Sequence, residues 1–234
     1  MSVPRLNRGL VPRNQNMIQE YANRALQCLQ KSENDRILIA LAGVPGSGKS
    51  TMAHKISDYI NNTLNVRCTV MGIDGFHLSR AQLRSLPDPQ LAFARRGAPF
   101  TFDAEAVVQF VHRLRKTCQT SKRGVIYAPS FDHKLKDPVP NGVTIAPETS
   151  IVIIEGLYLL LDSEPWKEIA SLVDEKWMLE ADLQVCRTRV AKRHVEAGIE
   201  PDLELAYRRV DSNDLVNAEY ILLHSAPVVD MYLH

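Results

Sequence analysis

The sequence predicts an α/β fold with a mostly parallel central sheet, and three features carry that prediction. Short apolar runs rich in β-branched residues recur along the chain, helical segments separate them, and a glycine-rich loop joins the first run to the next helix. The runs are hydrophobic almost without alternation, which is typical of strands buried on both faces of a parallel sheet. Strands that alternate with helices indicate helices on both sides of that sheet, in a three-layer sandwich.

The individual elements follow from the same patterns. The apolar runs predict strands at 36–43, 66–74, 124–132, 150–156, 175–181 and 219–224. Amphipathic spacing predicts helices at 15–31, 49–62, 103–119, 164–171, 182–197 and 202–210. The turn residues of "APSFDHKLKDPVPNGVTIAPETS" predict a long loop over 128–150, and loops of that length usually serve a function.

Length and composition indicate one globular domain. The chain has 234 residues, 45% of them hydrophobic and 24% charged, which is ordinary for a soluble protein. We expect a single domain over 15–234, preceded by a flexible basic tail over 1–14. Pro4 and Pro12 disfavour an amphipathic presequence in that tail, so a cytoplasmic location is the expectation.

Charge and apolar length also restrict the expected partners. The formal net charge of +1 argues against nucleic acid as a partner. The longest apolar run, "SIVIIEGLYLLLD", is short and contains an acid, so no membrane span is expected. The four cysteines are far apart and lack metal-ligand spacing, which favours reduced thiols.

The strongest single motif lies in "LIALAGVPGSGKSTMAHKI", where residues 43–50 read G-x-x-x-x-G-K-S between an apolar strand and a helix. Glycines let the backbone N–H groups and the helix N-terminus surround a phosphate chain. In such a loop the lysine reaches the β- and γ-phosphates and the serine hydroxyl binds Mg²⁺. The predicted nucleotide-binding residues here are Gly43, Val44, Pro45, Gly46, Ser47, Gly48, Lys49, Ser50 and Thr51.

Two carboxylates end predicted buried strands, where ligands of parallel sheets bind. Asp74 follows the second strand in "GIDGFHLSR", and Glu155 ends the fourth in "IVIIEGLYLLL". A carboxylate in that position needs a cation or a polar partner. Glu155 is expected to hold Mg²⁺ or its water together with Ser50, and Asp74 to act on an acceptor hydroxyl. The alternative for each acid is a cap of the following turn.

Several motifs in a fixed order resemble one family. The phosphate loop is followed by "DGFH", "RRGAPFTFD" (95–103), "APSFDHK" (128–134) and "IIEGLY" (153–158). This series resembles the uridine kinase, type I pantothenate kinase and phosphoribulokinase group, over about residues 36 to 224. The resemblance implies a P-loop NTPase fold with a short helical lid at about 185–202. It also implies ATP, Mg²⁺ and a small hydroxylated metabolite as ligands, and homo-oligomers by analogy with members of the group.

The resemblance also assigns roles by position. Asp74 corresponds to the catalytic base and magnesium-linked acid of the group, and Glu155 to its second acid near the metal. His133 falls at or beside a substrate-binding histidine, and Arg96 belongs to a basic pair on the acceptor side. His77 is open between orienting a substrate hydroxyl and packing at the sheet edge. Phe100 and Phe102 are expected in the core rather than in the acceptor pocket.

The segment "DLQVCRTRVAKRHVEAGIEPD" is the predicted lid. Arg189 and Arg193 are four residues apart, so they share one helix face. Arginines that close over the γ-phosphate can stabilise the transferred charge, with Arg193 as a catalytic residue beside Lys49 and Arg189 as a nucleotide contact. The alternative is a solvated helix in which Lys192 pairs with Glu196.

The combined motifs favour a small-molecule kinase over a switch or a regulatory P-loop ATPase. The N-K-x-D pattern of guanine-binding switches is absent from the sequence, and Asp74 is what a phosphotransferase needs. The acceptor is left open at this point. A nucleoside such as uridine or cytidine comes first, and pantothenate, a sugar or a sugar acid are alternatives, since fold alone does not choose a substrate.

Overall fold

The computed structural model describes residues 13–120, 123–132, 134–225 and 228–234. The predicted α/β fold with a mostly parallel central sheet is confirmed. The strands are β1 (Ile37–Gly43), β2 (Cys68–Gly72), β3 (Ile126–Asp132), β4 (Asp137–Ile145), β5 (Ile151–Gly156), β6 (Glu175–Leu179) and β7 (Met231–Leu233). The helices are α1 (Arg13–Lys31), α2 (Lys49–Asn62), α3 (Arg80–Arg84), α4 (Pro89–Ala94), α5 (Ala104–Cys118), α6 (Ile169–Leu172), α7 (Leu183–Glu196), α8 (Leu203–Arg209) and α9 (Leu215–His224).

The central sheet has the order β2-β5-β1-β6-β7, and its neighbouring strands are parallel. Every residue of β1 is buried, because helices cover both faces of the sheet. Alternate β1 residues point to opposite layers: Ile39 packs in the cluster that contains residues of α1 and α2, and Ala40 in the cluster that contains residues of α5. This arrangement is a three-layer sandwich, in which the carboxyl ends of β1, β2 and β5 share one edge.

Local sequence explains where several helices begin. Asp103 caps α5 by accepting a hydrogen bond from the amide of Ala106, and Asp182 caps α7 in the same way. A capping box between Ser79 and Gln82 starts α3. None of the helices in the described residues is both long and apolar enough to span a membrane.

Three sequence predictions of local structure are wrong. The run 219–224, predicted as a strand, is the second half of α9. The stretch 128–150, predicted as a loop, contains most of a hairpin, and the predicted sheet strand 124–132 pairs antiparallel with β4 in that hairpin instead of joining the central sheet. The helices α3 and α4 and the edge strand β7 were not predicted.

The predicted N-terminal tail over 1–14 lies mostly outside the described residues, and α1 begins at Arg13.

Candidate active site

The phosphate loop connects β1 to α2, as its sequence predicts. Gly46 and Gly48 have φ angles of 78° and 95°, in the left-handed region that favours glycine. A Cβ atom on Gly46 would lie 2.7 Å from both the Cys186 carbonyl oxygen and a methyl carbon of Val190. The loop therefore packs directly against α7, and a side chain at Gly46 would push the two apart.

Ser50 and Glu155 meet at the carboxyl edge of the sheet. The Ser50 hydroxyl donates a hydrogen bond of 3.0 Å to Oε1 of Glu155. Burial raises the pKa of Glu155, and the nearby Lys49 ammonium opposes that shift. Burial likewise lowers the pKa of Lys49, while Glu155 and Asp74 act in the opposite direction. One cation and two acids therefore lie within electrostatic reach of each other at the phosphate loop.

This donor set fits Mg²⁺. A hydroxyl and a carboxylate are hard oxygen ligands, and Mg²⁺ in nucleotide sites takes one or two protein ligands and completes its shell with phosphates and water. The described residues contain no cluster of three or more His, Cys, Asp or Glu side chains that would form an all-protein cage. The arrangement thus suits a metal that arrives with a nucleotide.

The two predicted lid arginines lie over the phosphate loop. Nη1 of Arg189 donates to the carbonyl oxygens of Gly46 and Ser47 over 3.4 and 3.3 Å. Arg189 and Arg193 line a cavity of about 200 Å³ together with Gly46, Gly48, Lys49, Ser50, Thr51 and Val190. Lys192 and Glu196, which the alternative pairs on a solvated helix, are both exposed, but they are not joined by an ion pair among the described residues.

Asp74 lies in a 3₁₀ turn, Ile73–Phe76, that directly follows β2. Its side chain is 46% exposed, and its charge acts on both Lys49 and Glu155. A Cβ atom on the next residue, Gly75, would lie 2.3 Å from the carbonyl oxygen of Pro129 in β3. The hairpin of β3 and β4 therefore rests on the turn that carries Asp74.

His77 packs between aromatic rings beside Asp74. Its Nδ1 donates to the Asp74 carbonyl oxygen over 2.8 Å, and its ring centroid lies 3.9 Å from Phe102 and 5.0 Å from Phe131. Phe102 is buried, as predicted. Phe100 is 51% exposed, so its predicted place in the core is wrong. His133, predicted to contact substrate, lies outside the described residues.

Arg96 uses its guanidinium group to join neighbouring segments. It donates to the carbonyl oxygens of Lys136 and Leu78, and it lies 3.6 Å from the Asp137 carboxylate. Burial lowers the pKa of Arg96, and Asp137 opposes that shift. The same group stacks on Phe131, with its central carbon 5.3 Å from the ring centroid. Arg96 thereby ties the hairpin to the segment after Asp74, close to where the acceptor was predicted.

A pair of buried asparagines holds the loop that carries Arg95 and Arg96. Asn213 accepts a hydrogen bond from Arg95 Nε over 3.0 Å and donates to the Arg96 carbonyl oxygen over 2.9 Å. Asn217 accepts from Arg95 Nη2 over 3.2 Å. The sequence alone does not predict this clamp. Its signal was the spacing of four between the two asparagines, which places them on one helix face.

Comparison with known proteins agrees with this geometry. The model of the phosphoribulokinase / uridine kinase family matches residues 38–198. A kinase-like protein of Aspergillus versicolor, named as ATP-dependent, is 48% identical over 159 residues, covering 68% of this chain and 92% of that protein. A protein of Schizosaccharomyces pombe, provisionally named a uridine kinase, is 38% identical over 203 residues, covering 86% of this chain and 84% of that protein.

Solved structures give the same result. The P-loop kinase YFH7 of Saccharomyces cerevisiae superposes with a TM-score of 0.83 at 26% identity, covering 92% of this chain and 98% of that chain. A protein of Silicibacter sp. TM1040, provisionally described as a fructose transport system kinase, superposes with a TM-score of 0.80 at 28% identity, covering 97% of this chain and 100% of that chain. The phosphate loop, the acids at the sheet edge and these matches together show that this chain belongs to the phosphoribulokinase/uridine kinase family of P-loop kinases.

Proposed function

We propose that the protein transfers the γ-phosphate of ATP to a hydroxyl group of a small metabolite, with a nucleoside such as uridine or cytidine as the first candidate. The observation that carries this proposal is the different environment of the two acids beside Lys49. Asp74 is 46% exposed on the side of the hairpin, whereas Glu155 is partly buried and hydrogen-bonded to Ser50. An acid that receives a proton from a substrate must be accessible, and an acid that supports a metal need not be.

The phosphate loop supplies the nucleotide side of the proposed reaction. Backbone N–H groups of the loop and the N-terminus of α2 would bind the phosphates, and Lys49 would contact the β- and γ-phosphates. Ser50 and Glu155 would hold Mg²⁺, which when bound offsets the negative charge of the phosphate oxygens. Arg189 and Arg193 of α7 line the same cavity and would exclude water from it when a nucleotide is bound.

On the acceptor side, the Asp74 carboxylate would accept the proton of the substrate hydroxyl as that oxygen attacks the γ-phosphorus. The bond from the γ-phosphorus to the bridging oxygen breaks, and ADP leaves with that oxygen. Lys49 and Arg193 would stabilise the charge on the transferred group, because both face the loop cavity. His77 and Arg96 would shape the acceptor pocket, and His77 holds the Asp74 backbone through its Nδ1.

The choice of acceptor rests on two supports. The Schizosaccharomyces pombe relative carries a provisional uridine kinase name and matches over 84% of its length. Next to Asp74, the half-buried ring of Phe131 packs against His77 and is an aromatic side chain on which a base could stack. The second candidate is a sugar or sugar acid, which the provisional description of the Silicibacter structure favours.

The test is ADP release by the purified full chain with ATP and Mg²⁺, over a panel of uridine, cytidine, fructose, other sugars, glycerate and pantothenate. We expect one acceptor to raise the rate well above the background, and Asp74→Asn to abolish that increase. The matched control is Asp88→Asn, because an asparagine preserves the cap that Asp88 gives to α4. A slow rate that no acceptor raises and that Asp74→Asn does not change would favour a regulatory ATPase instead.

A further inference from the structure

The π-helical turn Val210–Asp214 has neighbouring side chains that face different parts of the site. Asn213 holds the acceptor-side loop through Arg95 and the Arg96 carbonyl. Asp214 faces α7, the helix that carries the lid arginines, and its Oδ2 lies 3.8 Å from Nε2 of His194. One short turn therefore contacts both the acceptor loop and the lid, and π-helical turns are frequent at functional sites.

The side chains of Asp214 and His194 are buried next to each other, but no hydrogen bond joins them. The side chains are 16% and 8% exposed, and 3.8 Å is too long for a hydrogen bond. Within the described part of the chain, Asp214 Oδ2 and His194 Nδ1 have no hydrogen-bond partner. Buried polar groups are nearly always paired, and an unpaired buried carboxylate is costly. A hydrogen bond from His194 Nε2 to Asp214 Oδ2 would remove the cost at the carboxylate oxygen, and Nδ1 would keep no partner.

The protonation states of the pair suit a hydrogen bond at neutral pH. Burial lowers the pKa of His194 to about 4, so the imidazole is neutral and has one N–H donor. Burial raises the pKa of Asp214 to about 6, so the carboxylate is mostly ionised at pH 7. Arg193 on α7 and Arg209 on α8 are the charged groups whose fields act on both residues, and Arg209 already lies 3.5 Å from Glu200. In the tautomer that carries its proton on Nε2 the imidazole can donate to Oδ2, and a shift of about 1 Å brings the two atoms within hydrogen-bond distance.

Nucleotide binding provides a reason for that shift. Arg189 and Arg193 line the cavity at the phosphate loop, and His194 is the next residue after Arg193 on the same helix. A triphosphate in the cavity would attract both arginines and so draw the part of α7 that carries Arg193 and His194 towards it. The position of His194 relative to the π-helical turn changes with any such displacement.

We propose that Asp214 is a positioning residue for the lid: when α7 moves to bring Arg193 onto the γ-phosphate, His194 closes onto Asp214, and their hydrogen bond holds Arg193 in place. This inference rests on the proposed function, because it requires ATP in the phosphate loop. It adds a hydrogen bond between α7 and the π-helical turn, and this bond forms when the nucleotide binds. The same turn also holds the acceptor-side loop through Asn213.

Asp211 provides a matched control on the same turn. Its carboxylate also contacts α7, through hydrogen bonds to Nε and Nη2 of Arg187, but that pair is already formed in the structure. If the contact between Asp214 and His194 only supported the fold, its loss would leave the ratio of ATP to ADP affinity unchanged, as we expect for the loss of the Asp211 pair. If the contact forms only with the nucleotide, its loss would weaken ATP binding more than ADP binding.

The experiment measures the affinity of the full chain for fluorescent N-methylanthraniloyl ATP and ADP with Mg²⁺. The variants are Asp214→Asn, His194→Asn, the double variant and Asp211→Asn, each with a melting temperature measured without nucleotide. We expect Asp214→Asn and His194→Asn each to weaken ATP binding about tenfold, from the strength of a hydrogen bond to a charged group. ADP binding should change less than about twofold, because Arg193 acts on the γ-phosphate, and the double variant should lose no more than either single variant.

Asp211→Asn should leave the ratio of ATP to ADP affinity unchanged. The proposal is overturned if Asp214→Asn and His194→Asn keep the wild-type ratio, or if their losses multiply in the double variant. If either single variant does not fold, the remaining one tests the same hydrogen bond. A wild-type chain that binds neither nucleotide would overturn the proposed function and this inference together. Normal ATP binding with an unchanged ratio would overturn this inference alone.

Discussion

The Ser50 hydroxyl and the Glu155 carboxylate form a hydrogen bond of 3.0 Å between residues that lie 105 positions apart in the chain. Ser50 lies in the first turn of α2, which the phosphate loop joins to β1, and Glu155 lies in β5, the neighbour of β1 in the sheet. The bond places a hydroxyl and a carboxylate oxygen within electrostatic reach of Lys49. In the proposed reaction, the requirement for Mg²⁺ should therefore depend on Glu155.

Substitution of Glu155 by Gln tests that expectation. Glutamine keeps the shape and an acceptor for Ser50 but removes the negative charge, so we expect the Mg²⁺ concentration for half-maximal activity to rise about tenfold or more. The measurement is a Mg²⁺ titration of ADP release at saturating ATP. Glu148→Gln, at an exposed position, is the control. A Glu155→Gln enzyme with a wild-type Mg²⁺ requirement would place the metal elsewhere.

Substitution of Gly75 by Ala should separate the hairpin from the Asp74 turn. The new methyl group would lie 2.3 Å from the Pro129 carbonyl oxygen, and real Cβ atoms do not approach backbone so closely. The hairpin must move, so we expect kcat/KM for the acceptor to fall at least about tenfold, because a displacement of about 1 Å can cost a hundredfold. Steady-state kinetics measures this effect. Gly124→Ala is the control, since nothing lies within 4 Å of a Cβ there, and an equal loss in both variants would contradict the explanation.

Substitution of Asn213 by Ala should affect the acceptor more than the nucleotide. It leaves Arg95 Nε and the Arg96 carbonyl oxygen without their partner, and each unpaired buried group costs about 1–3 kcal/mol. We expect the acceptor KM to rise severalfold while the ATP KM stays within about twofold, since Arg95 and Arg96 belong to the loop beside the hairpin. The neighbouring exposed Ser212→Ala serves as the control. A larger change in the ATP KM than in the acceptor KM would show that the clamp serves the nucleotide instead.

The free energy of unfolding should depend on pH through the buried side chains of Asp214 and His194. The folded pKa of Asp214, about 6, is above its ordinary value of 3.8, so its stabilising contribution is present below pH 3.8 and is lost as pH rises through 6. The folded pKa of His194, about 4, is below its ordinary value of 6.5, so its contribution is present above pH 6.5 and is lost as pH falls through 4. In the wild type the two trends oppose each other between about pH 4 and 6.

The Asp214→Asn substitution removes the pH-dependent contribution of Asp214 to stability and leaves that of His194 in place. We therefore expect the variant to be more stable than the wild type at pH 7, by about 1–3 kcal/mol, and to lose this advantage as pH falls towards 4. Thermal unfolding without nucleotide at half-unit steps of pH measures the difference. A variant that is less stable than the wild type at pH 7 would mean that ionised Asp214 is well paired in the free protein.

The phosphate loop and the strands around it could be predicted from sequence, because their determinants are local. Glycine positions fix the loop, and continuous apolar runs fix strands that are buried on both faces. The helix α2 has the predicted bounds, 49–62. The approach of Ser50 to Glu155 can also be predicted. The loop that leads to Ser50 begins where β1 ends, and parallel strands such as β1 and β5 end at the same edge of the sheet.

The errors come from segments whose structure depends on distant partners. In α9 the apolar run at 220–223 looks like a strand, yet Ile221 is buried while Leu222 and Leu223 are exposed. Asn217 and Ala218 complete the buried helical spacing with Ile221, which the apolar run alone does not show. The sequence of the hairpin predicts a loop because its prolines disfavour a sheet strand. Pro138 and Pro140 lie in β4, which pairs only with β3 among the described strands.

The hairpin of β3 and β4 lies outside the central sheet, whereas the phosphate loop follows a central strand of it. The two parts of the site should therefore differ in their stability against local unfolding. A two-stranded ribbon alone is marginally stable in water, and β3 and β4 have only each other for main-chain pairing among the described strands. β1 lies between β5 and β6 and is fully buried. Amide protons of β1 should therefore exchange with solvent only on global unfolding, and those of the hairpin orders of magnitude faster. The hairpin can thus open while the phosphate loop keeps its shape, which would let the proposed reaction exchange product for substrate without loss of the nucleotide site.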